Sequence, residues 1–158
     1  MSSIKTDFRN NQREILSGWL EMPKAAPQHF AIFAHCFTCS KNIAAASRIT
    51  RALSSQGVAT LRFDFTGLGN SDGDFANTNF SSNVQDLIAA AEFLEEHYKA
   101  PAILVGHSLG GAAVLAVAKA VESAKAIVTI GAPAKADHVK NLFADSEERI
   151  ESQDEALG

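Results

Sequence analysis

The sequence has no apolar run long enough to cross a membrane, and its N-terminus has no stretch typical of a signal peptide. We therefore expect a cytoplasmic protein.

The sequence also has no excess of basic residues. Residues 1–144 carry 13 basic and 12 acidic side chains, and residues 145–158 add six acidic residues and one arginine. Because a near-neutral body with an acidic tail offers a nucleic-acid backbone no electrostatic partner, binding to nucleic acid or to a membrane is not expected.

Cysteine is scarce, and the two that are present, Cys36 and Cys39, form a C-x-x-C pair. Between a strand and a helix this spacing is typical of redox dithiols. In a reducing compartment the same two residues can instead fill small, semi-buried positions. We prefer this structural interpretation, and a thiol redox role for the pair stays open as the weaker alternative. A zinc site would need two further ligands at suitable spacing, so neither a metal nor a cofactor is expected.

The composition, with 46% apolar and 20% charged residues in 158, is that of one globular domain. We predict this domain over residues 1–144 and an acidic, frayed tail over residues 145–158. The segment 4–20 is predicted to form an antiparallel hairpin with its turn at Asn10-Asn11, where positive φ is tolerated.

After the hairpin, apolar strand patterns alternate with helical patterns. Strands are predicted at 29–34, 58–65, 102–105 and 126–130, and helices at 42–56, 81–97, 109–121 and 135–143. This alternation predicts an α/β fold, a three-layer α/β/α sandwich with a mostly parallel sheet. Ligands of such sheets bind at the carboxyl ends of the strands.

One stretch of the chain, AILVGHSLGG over residues 102–111, contains the pattern G-x-S-x-G between a predicted strand and a predicted helix. A strand that turns directly into a helix strains its turn residue, and Gly106 and Gly110 lack the Cβ atoms that would clash there. The turn would present Ser108 at the carboxyl edge of the sheet. The helix that begins at Leu109 would direct its first N–H groups to the same place. The pattern therefore predicts a serine nucleophile at Ser108.

Three motifs in this order resemble those of the α/β-hydrolase family. GHSLGG resembles the nucleophile elbow, and RFDFTGLGNSDG resembles the D-x-R-G-x-G-x-S loop, with Thr66 where an arginine is usual. HCFTCSK resembles the oxyanion loop, with cysteines in place of two glycines. The resemblance covers about residues 4–143, and it includes a bacterial subgroup in which the hydrolase domain precedes an OsmC-like domain.

The resemblance implies an esterase-like acyl hydrolase that needs no cofactor and acts on small esters or thioesters. Ser108 would be the nucleophile, and the backbone N–H groups of Phe37 and Leu109 would form the oxyanion hole. A further set of residues would shape the surrounding loops without taking part in the chemistry: His35, Asp64, Gly67, Gly106, His107 and Gly110.

The family places its catalytic acid and histidine after two further strands, and this sequence ends before either. A serine hydroxyl without a base is a weak nucleophile, so this chain alone is expected to be weakly active or inactive. His138, next to Asp137, is the only candidate substitute, and we prefer to interpret it as an exposed helix residue.

Two functions therefore stay open: an acyl hydrolase completed by a further segment or an OsmC-like domain, and a non-catalytic binding or assembly module. Because the strand at 126–130 would form an uncovered sheet edge, we expect a homodimer or a domain-swapped assembly.

Overall fold

The computed structural model describes residues 1–36 and 41–132. The strands are β1 (Ser2–Lys5), β2 (Phe8–Arg9), β3 (Ile15–Leu16), β4 (Gly18–Met22), β5 (His29–Ala34), β6 (Val58–Phe63), β7 (Ile103–His107) and β8 (Ala126–Ile130). The helices are α1 (Ala44–Ser55), α2 (Phe80–His97) and α3 (Leu109–Val117), with a single 3₁₀ turn at Phe75–Asn77. The predicted short helix at 135–143 and the acidic tail lie outside the described residues.

The predicted N-terminal hairpin is confirmed, although it is divided into two pairs of strands. β1 pairs antiparallel with β4, and β2 pairs antiparallel with β3 in a separate two-stranded sheet. The predicted turn conformation is wrong, because the positive φ falls on Arg13, at 64°, and not on Asn10-Asn11. The reason is local: the side-chain oxygen of Asn10 accepts the N–H groups of Gln12 and Glu14, each at 2.9 Å, and so holds the turn from within.

The central sheet has the strand order β1-β4-β6-β5-β7-β8, and its last four strands are parallel. Apolar residues of neighbouring strands lie side by side, as Ile32 does with Leu61 and Leu104. Because these strands are parallel, their carboxyl ends meet at one edge of the sheet. The loops after β5, β6 and β7 all leave from this edge.

Helices cover both faces of the sheet, which confirms the predicted three layers. On one face α1 packs its apolar side, including Ala46 and Leu53, against Phe33 and Val105. On the other face α2 and α3 contribute Leu87, Leu94, Val114 and Val117 to the larger cluster. β6 ends at Phe63, two residues earlier than predicted, although the N–H of Asp64 still donates to the carbonyl of Ser17 beside β4 at 2.9 Å.

β8 forms one edge of the sheet and pairs only with β7 among the described strands. Its side chains are unusually open for an apolar strand, since Val128 is 46% and Ile130 38% exposed. Such an edge offers unpaired backbone groups and apolar surface to another strand.

Among the described helices, none is both long and apolar enough to span a membrane.

We expect the purified chain to associate through this edge. Light scattering should then give a mass above that of one chain, rising with concentration. Val128→Lys should restore the monomer, because a charge on an edge strand opposes pairing, whereas Leu115→Lys on the exposed side of α3 should not. A monomeric mass for the wild type at every concentration would contradict this prediction.

Candidate active site

Ser108 occupies a sharp turn between β7 and α3, with φ of 52° and ψ of −115°. Among the described residues, it and Arg13 alone combine a side chain with a positive φ. The conformation is strained for an L-residue, and it persists only where the surroundings determine it. Here the N–H of Ser108 donates to the carbonyl of Ile130 at 2.8 Å, and its own carbonyl accepts the N–H of Gly111 at 2.9 Å. The strand–turn–helix context predicted from the sequence is therefore present.

Two glycines allow the turn to pack directly against neighbouring backbone. A Cβ atom on Gly106 would lie 2.3 Å from the carbonyl oxygen of Gly110. A Cβ on Gly110 would lie 2.2 Å from the carbonyl oxygen of Ala34 and 2.5 Å from that of His35. Since those oxygens belong to backbone, neither glycine can be replaced without moving the chain. The close contact brings the first turn of α3 against the end of β5, where the predicted oxyanion loop begins.

The residues on either side of Ser108 differ in their polar contacts. The N–H of Leu109 finds no acceptor in the part of the chain that the structure describes, as expected at the first position of a helix. A free N–H beside Ser108 is what an oxyanion hole requires. His107 is half-buried, and its Nδ1 has no hydrogen-bond partner within residues 1–36 and 41–132.

His35 is fully buried at the end of β5, and its hydrogen bonds define its tautomer. Its Nε2 accepts the N–H of Phe65 at 3.3 Å and therefore carries no proton, while Nδ1 bonds the carbonyl of Cys36. Burial lowers the pKa of His35 below its ordinary value of 6.5, against the opposing effects of the Cys36 carbonyl and Asp64. His35 is thus a neutral structural brace between two loops, and both of its nitrogens are occupied.

Asp64 lies at the centre of the carboxyl edge with no exposed surface. Its Oδ1 accepts the backbone N–H of Lys41 at 2.7 Å, and its Oδ2 accepts the N–H of Asn70 at 3.0 Å and pairs with the ammonium of Lys41. The nearest ring nitrogen of His35 is 3.9 Å from Oδ1. Gly67 follows in the same loop, with φ of 76°, and donates its N–H to the carbonyl of Asp72 at 2.8 Å.

Thr66, which stands where the family usually has arginine, is bonded to a buried carboxylate on α2. Its N–H donates to Oδ2 of Asp86 at 2.8 Å, and its hydroxyl donates to the same carboxylate. Burial raises the pKa of Asp86, while the bonds from Thr66 and Asn10 oppose that rise. Asp86 was not predicted from the sequence, because it is one polar residue among many on an amphipathic helix.

Three charged residues that are linked to one another through Arg62 were also not predicted from the sequence: Glu21, Lys41 and Arg62. All three are nearly fully buried, and Lys41 is only 1% exposed. Arg62 pairs with Glu21 through Nη2 at 2.8 Å. A signal was present, because Arg62 and Asp64 interrupt an otherwise apolar strand, and charges in such a strand need partners.

Several predicted site residues lie outside the described part of the chain: Phe37, Cys39 and His138. Cys36 is 8% exposed and is not a free thiol. The redox interpretation of the cysteine pair stays a prediction. Within residues 1–36 and 41–132, no three His, Cys, Asp or Glu side chains are grouped so that they could hold a metal ion.

Comparison with known proteins identifies relatives among hydrolases. The hydrolase family described as "Serine aminopeptidase, S33" matches residues 27–151. The mitochondrial palmitoyl-protein thioesterase ABHD10 of Rattus norvegicus is 34% identical over 112 residues, which is 71% of this chain and 36% of that protein. Its counterpart in Mus musculus is 39% identical over 83 residues, 52% of this chain and 27% of that protein.

Two solved structures that are similar to this chain are esterases. The esterase domain of a Rhodothermus marinus protein is 51% identical, with a TM-score of 0.73 over 89% of this chain and 54% of that chain. The Pyrococcus furiosus esterase Pf2001 has a TM-score of 0.76 at 21% identity, over 91% of this chain and 56% of that one, and shows the fold alone. The chain thus spans about half the length of these solved structures.

The buried, neutral state of His35 should make stability depend on pH. The unfolded chain takes up a proton at the ordinary pKa of 6.5, whereas folded His35 stays neutral to lower pH, so acidification through this range favours unfolding. We expect the free energy of unfolding to fall by up to about 1.4 kcal/mol per pH unit below that value.

Urea denaturation at several values between pH 7.5 and 5.5 would measure this slope, with His35→Gln as the comparison. Asp86, whose raised pKa acts in the opposite direction, is present in both proteins, so the difference between them isolates His35. Equal slopes in the two proteins would contradict the prediction.

Proposed function

The chain belongs to the S33 serine aminopeptidase family of α/β-hydrolases, which confirms the resemblance drawn from its motifs, and we propose that it forms the nucleophile-bearing part of an acyl hydrolase. The observation that supports this most directly is the backbone of Ser108. A serine with φ of 52° at a strand-to-helix turn is strained, and such strain suits a nucleophile that must stand clear of the sheet.

The substrate class that we propose is an acyl ester or thioester. Relatives of the chain include a palmitoyl-protein thioesterase and an esterase domain, and both reactions attack an acyl carbon. In this proposal Ser108 Oγ forms a bond to that carbon and loses its proton to a base. The carbonyl oxygen becomes an oxyanion, which the N–H groups of Leu109 and Phe37 stabilise. The leaving alcohol or thiol takes the proton from the base, and water then hydrolyses the acyl-enzyme.

In this proposal the base comes from outside the described residues, and His35 is not available for that role. Both ring nitrogens of His35 are occupied, by the N–H of Phe65 and the carbonyl of Cys36. His138 of the same chain or a histidine of another polypeptide would serve, and so would a segment that supplies the acid as well. An association with an OsmC-like domain stays a prediction. Without a base, only the part of catalysis due to binding and the oxyanion hole would remain, about 10³–10⁴-fold over water in comparable sites.

Labelling with a fluorophosphonate tests the proposal directly. Even without a base the proposed oxyanion hole should retain part of the reactivity, so we expect intact-mass analysis to show one adduct on the wild type after long incubation and none on Ser108→Ala. Ser55→Ala, an exposed serine at the end of α1, should label like the wild type.

Circular dichroism should show that all three proteins are folded before the masses are compared. An unlabelled, folded wild type would contradict the hydrolase proposal. The strand–turn–helix at Ser108 would then have a structural role only. The remaining function would be that of a binding or assembly module.

A further inference from the structure

A cavity of about 390 Å³ lies at the edge of the sheet opposite to that of Ser108. Its lining includes Gly57, which directly precedes β6, and Ser54 in the last turn of α1. Ser108 follows β7, which runs parallel to β5 and so to β6. The cavity therefore lies at the amino edge of these strands, and the candidate nucleophile lies at their carboxyl edge. Its volume is within the range of about 300–1,000 Å³ that is typical of small-molecule sites.

The long side chains around this cavity are apolar or positively charged. Met1, Pro23 and Ala25 contribute apolar surface, and Lys24 and Arg51 contribute two cations. No acidic residue of the described chain lines the cavity, and neither cation forms an ion pair within residues 1–36 and 41–132. The cavity thus combines apolar surface with positive charge that has no partner among those residues. This combination is complementary to an anion that carries an apolar group.

A buried hydroxyl beside the cavity also has no partner. Ser54 is 4% exposed, and its hydroxyl forms no hydrogen bond in the part of the chain that the structure describes. The hydroxyl of Ser55, the next residue, donates to the carbonyl of Ala52 at 2.7 Å, as is usual in a helix. A buried hydroxyl without a partner costs free energy. Because Ser54 lines the cavity, rotation about its Cα–Cβ bond can turn this hydroxyl towards a ligand there.

The end of α1 has few free carbonyl groups that would repel an anion. The carbonyls of Leu53 and Ser54 accept the N–H groups of Gln56 and Gly57, at 3.0 and 3.1 Å. The carbonyl of Gly57 in turn accepts the N–H of Gln28 at 2.9 Å. The negative partial charge of a helix end is carried by its unpaired carbonyls, so these bonds reduce it at the cavity.

We propose that this cavity binds an amphipathic carboxylate, that is, a carboxylate with an apolar chain. The chain packs against the apolar surface, and the carboxylate is bound by Lys24, Arg51 and the hydroxyl of Ser54. An inorganic anion such as phosphate would use the charges only and would leave the apolar surface in contact with water. This inference does not rest on the proposed function. Acyl hydrolysis also releases a carboxylate, so the experiment has to distinguish this cavity from the surroundings of Ser108.

An NMR titration of the ¹⁵N-labelled chain with sodium octanoate measures both the affinity and the place of binding. In about 50 mM salt we expect saturable shifts of the amide signals of Ser55 and Gly57, rather than of Leu109, with a dissociation constant on the order of 1 mM or tighter. Octan-1-ol has the same chain length and no charge. It should bind at least about tenfold more weakly, because it lacks the charge-assisted hydrogen bonds.

Three variants test the residues of the site. Lys24→Gln combined with Arg51→Gln should raise the dissociation constant at least about tenfold, because both cations are lost. Arg48→Gln removes an exposed cation of α1 that does not line the cavity, and it should leave the constant within about twofold. Ser54→Ala should raise the constant about threefold without lowering the melting temperature, because the hydroxyl that it removes has no partner within the described chain.

Three results would overturn the proposal: octan-1-ol that binds as tightly as octanoate, a double variant with the wild-type dissociation constant, or wild-type signals of Ser55 and Gly57 that stay unchanged up to about 10 mM octanoate. An unchanged constant in Ser54→Ala would overturn the role of its hydroxyl. None of these results depends on whether Ser108 reacts with a fluorophosphonate. Failure of this proposal and failure of the proposed function are therefore distinguishable.

Discussion

The buried carboxylate of Asp64 is the group on which the carboxyl edge of the sheet depends. A carboxylate without water must be surrounded by donors, and here they come from Lys41, on one loop, and Asn70, on another. One negative charge thus fixes two loops that leave neighbouring strands. The second loop approaches so closely that a Cβ on Gly69 would lie 2.3 Å from Oδ2. The need to satisfy this charge fixes the positions of Lys41 and Asn70 against the end of β6.

The strain at Ser108 is maintained by contacts on three sides. β8 supplies the acceptor for its N–H, α3 supplies a donor for its carbonyl, and β5 lies against Gly110. Because each contact belongs to a different element, the turn cannot relax without disturbing the sheet or the helix. The exposed edge strand β8 is therefore part of the support of the candidate nucleophile, since the carbonyl of Ile130 is the acceptor.

Local patterns predicted the elements well, and contacts between distant residues were not predictable from them. The strands at 29–34 and 126–130 have the predicted bounds because each is a continuous apolar run between clear breaks. The positions of His35 and Asp64 at one edge follow from parallel strands. The pairing of Arg62 with Glu21, 41 residues apart, depends on how β4 lies against β6, which no local pattern contains. The positive φ of Arg13 likewise depends on how one side chain, that of Asn10, happens to bond.

The proposed acyl transfer has two requirements, stabilisation of the oxyanion and proton transfer, and the described part of the chain bears on each of them differently. The strained serine and the N–H of Leu109, which has no acceptor among the described residues, both lie where β7 meets α3, so this part of the proposed site is built from the strand and the helix that follows it. His35, which is fully buried at this edge, is not available for proton transfer, because both of its ring nitrogens are hydrogen-bonded. If His35 were released to act as a base, the bond from Phe65 and the brace on Cys36 would be lost together. These two contacts of His35 are therefore incompatible with its acting as the base of the proposed reaction.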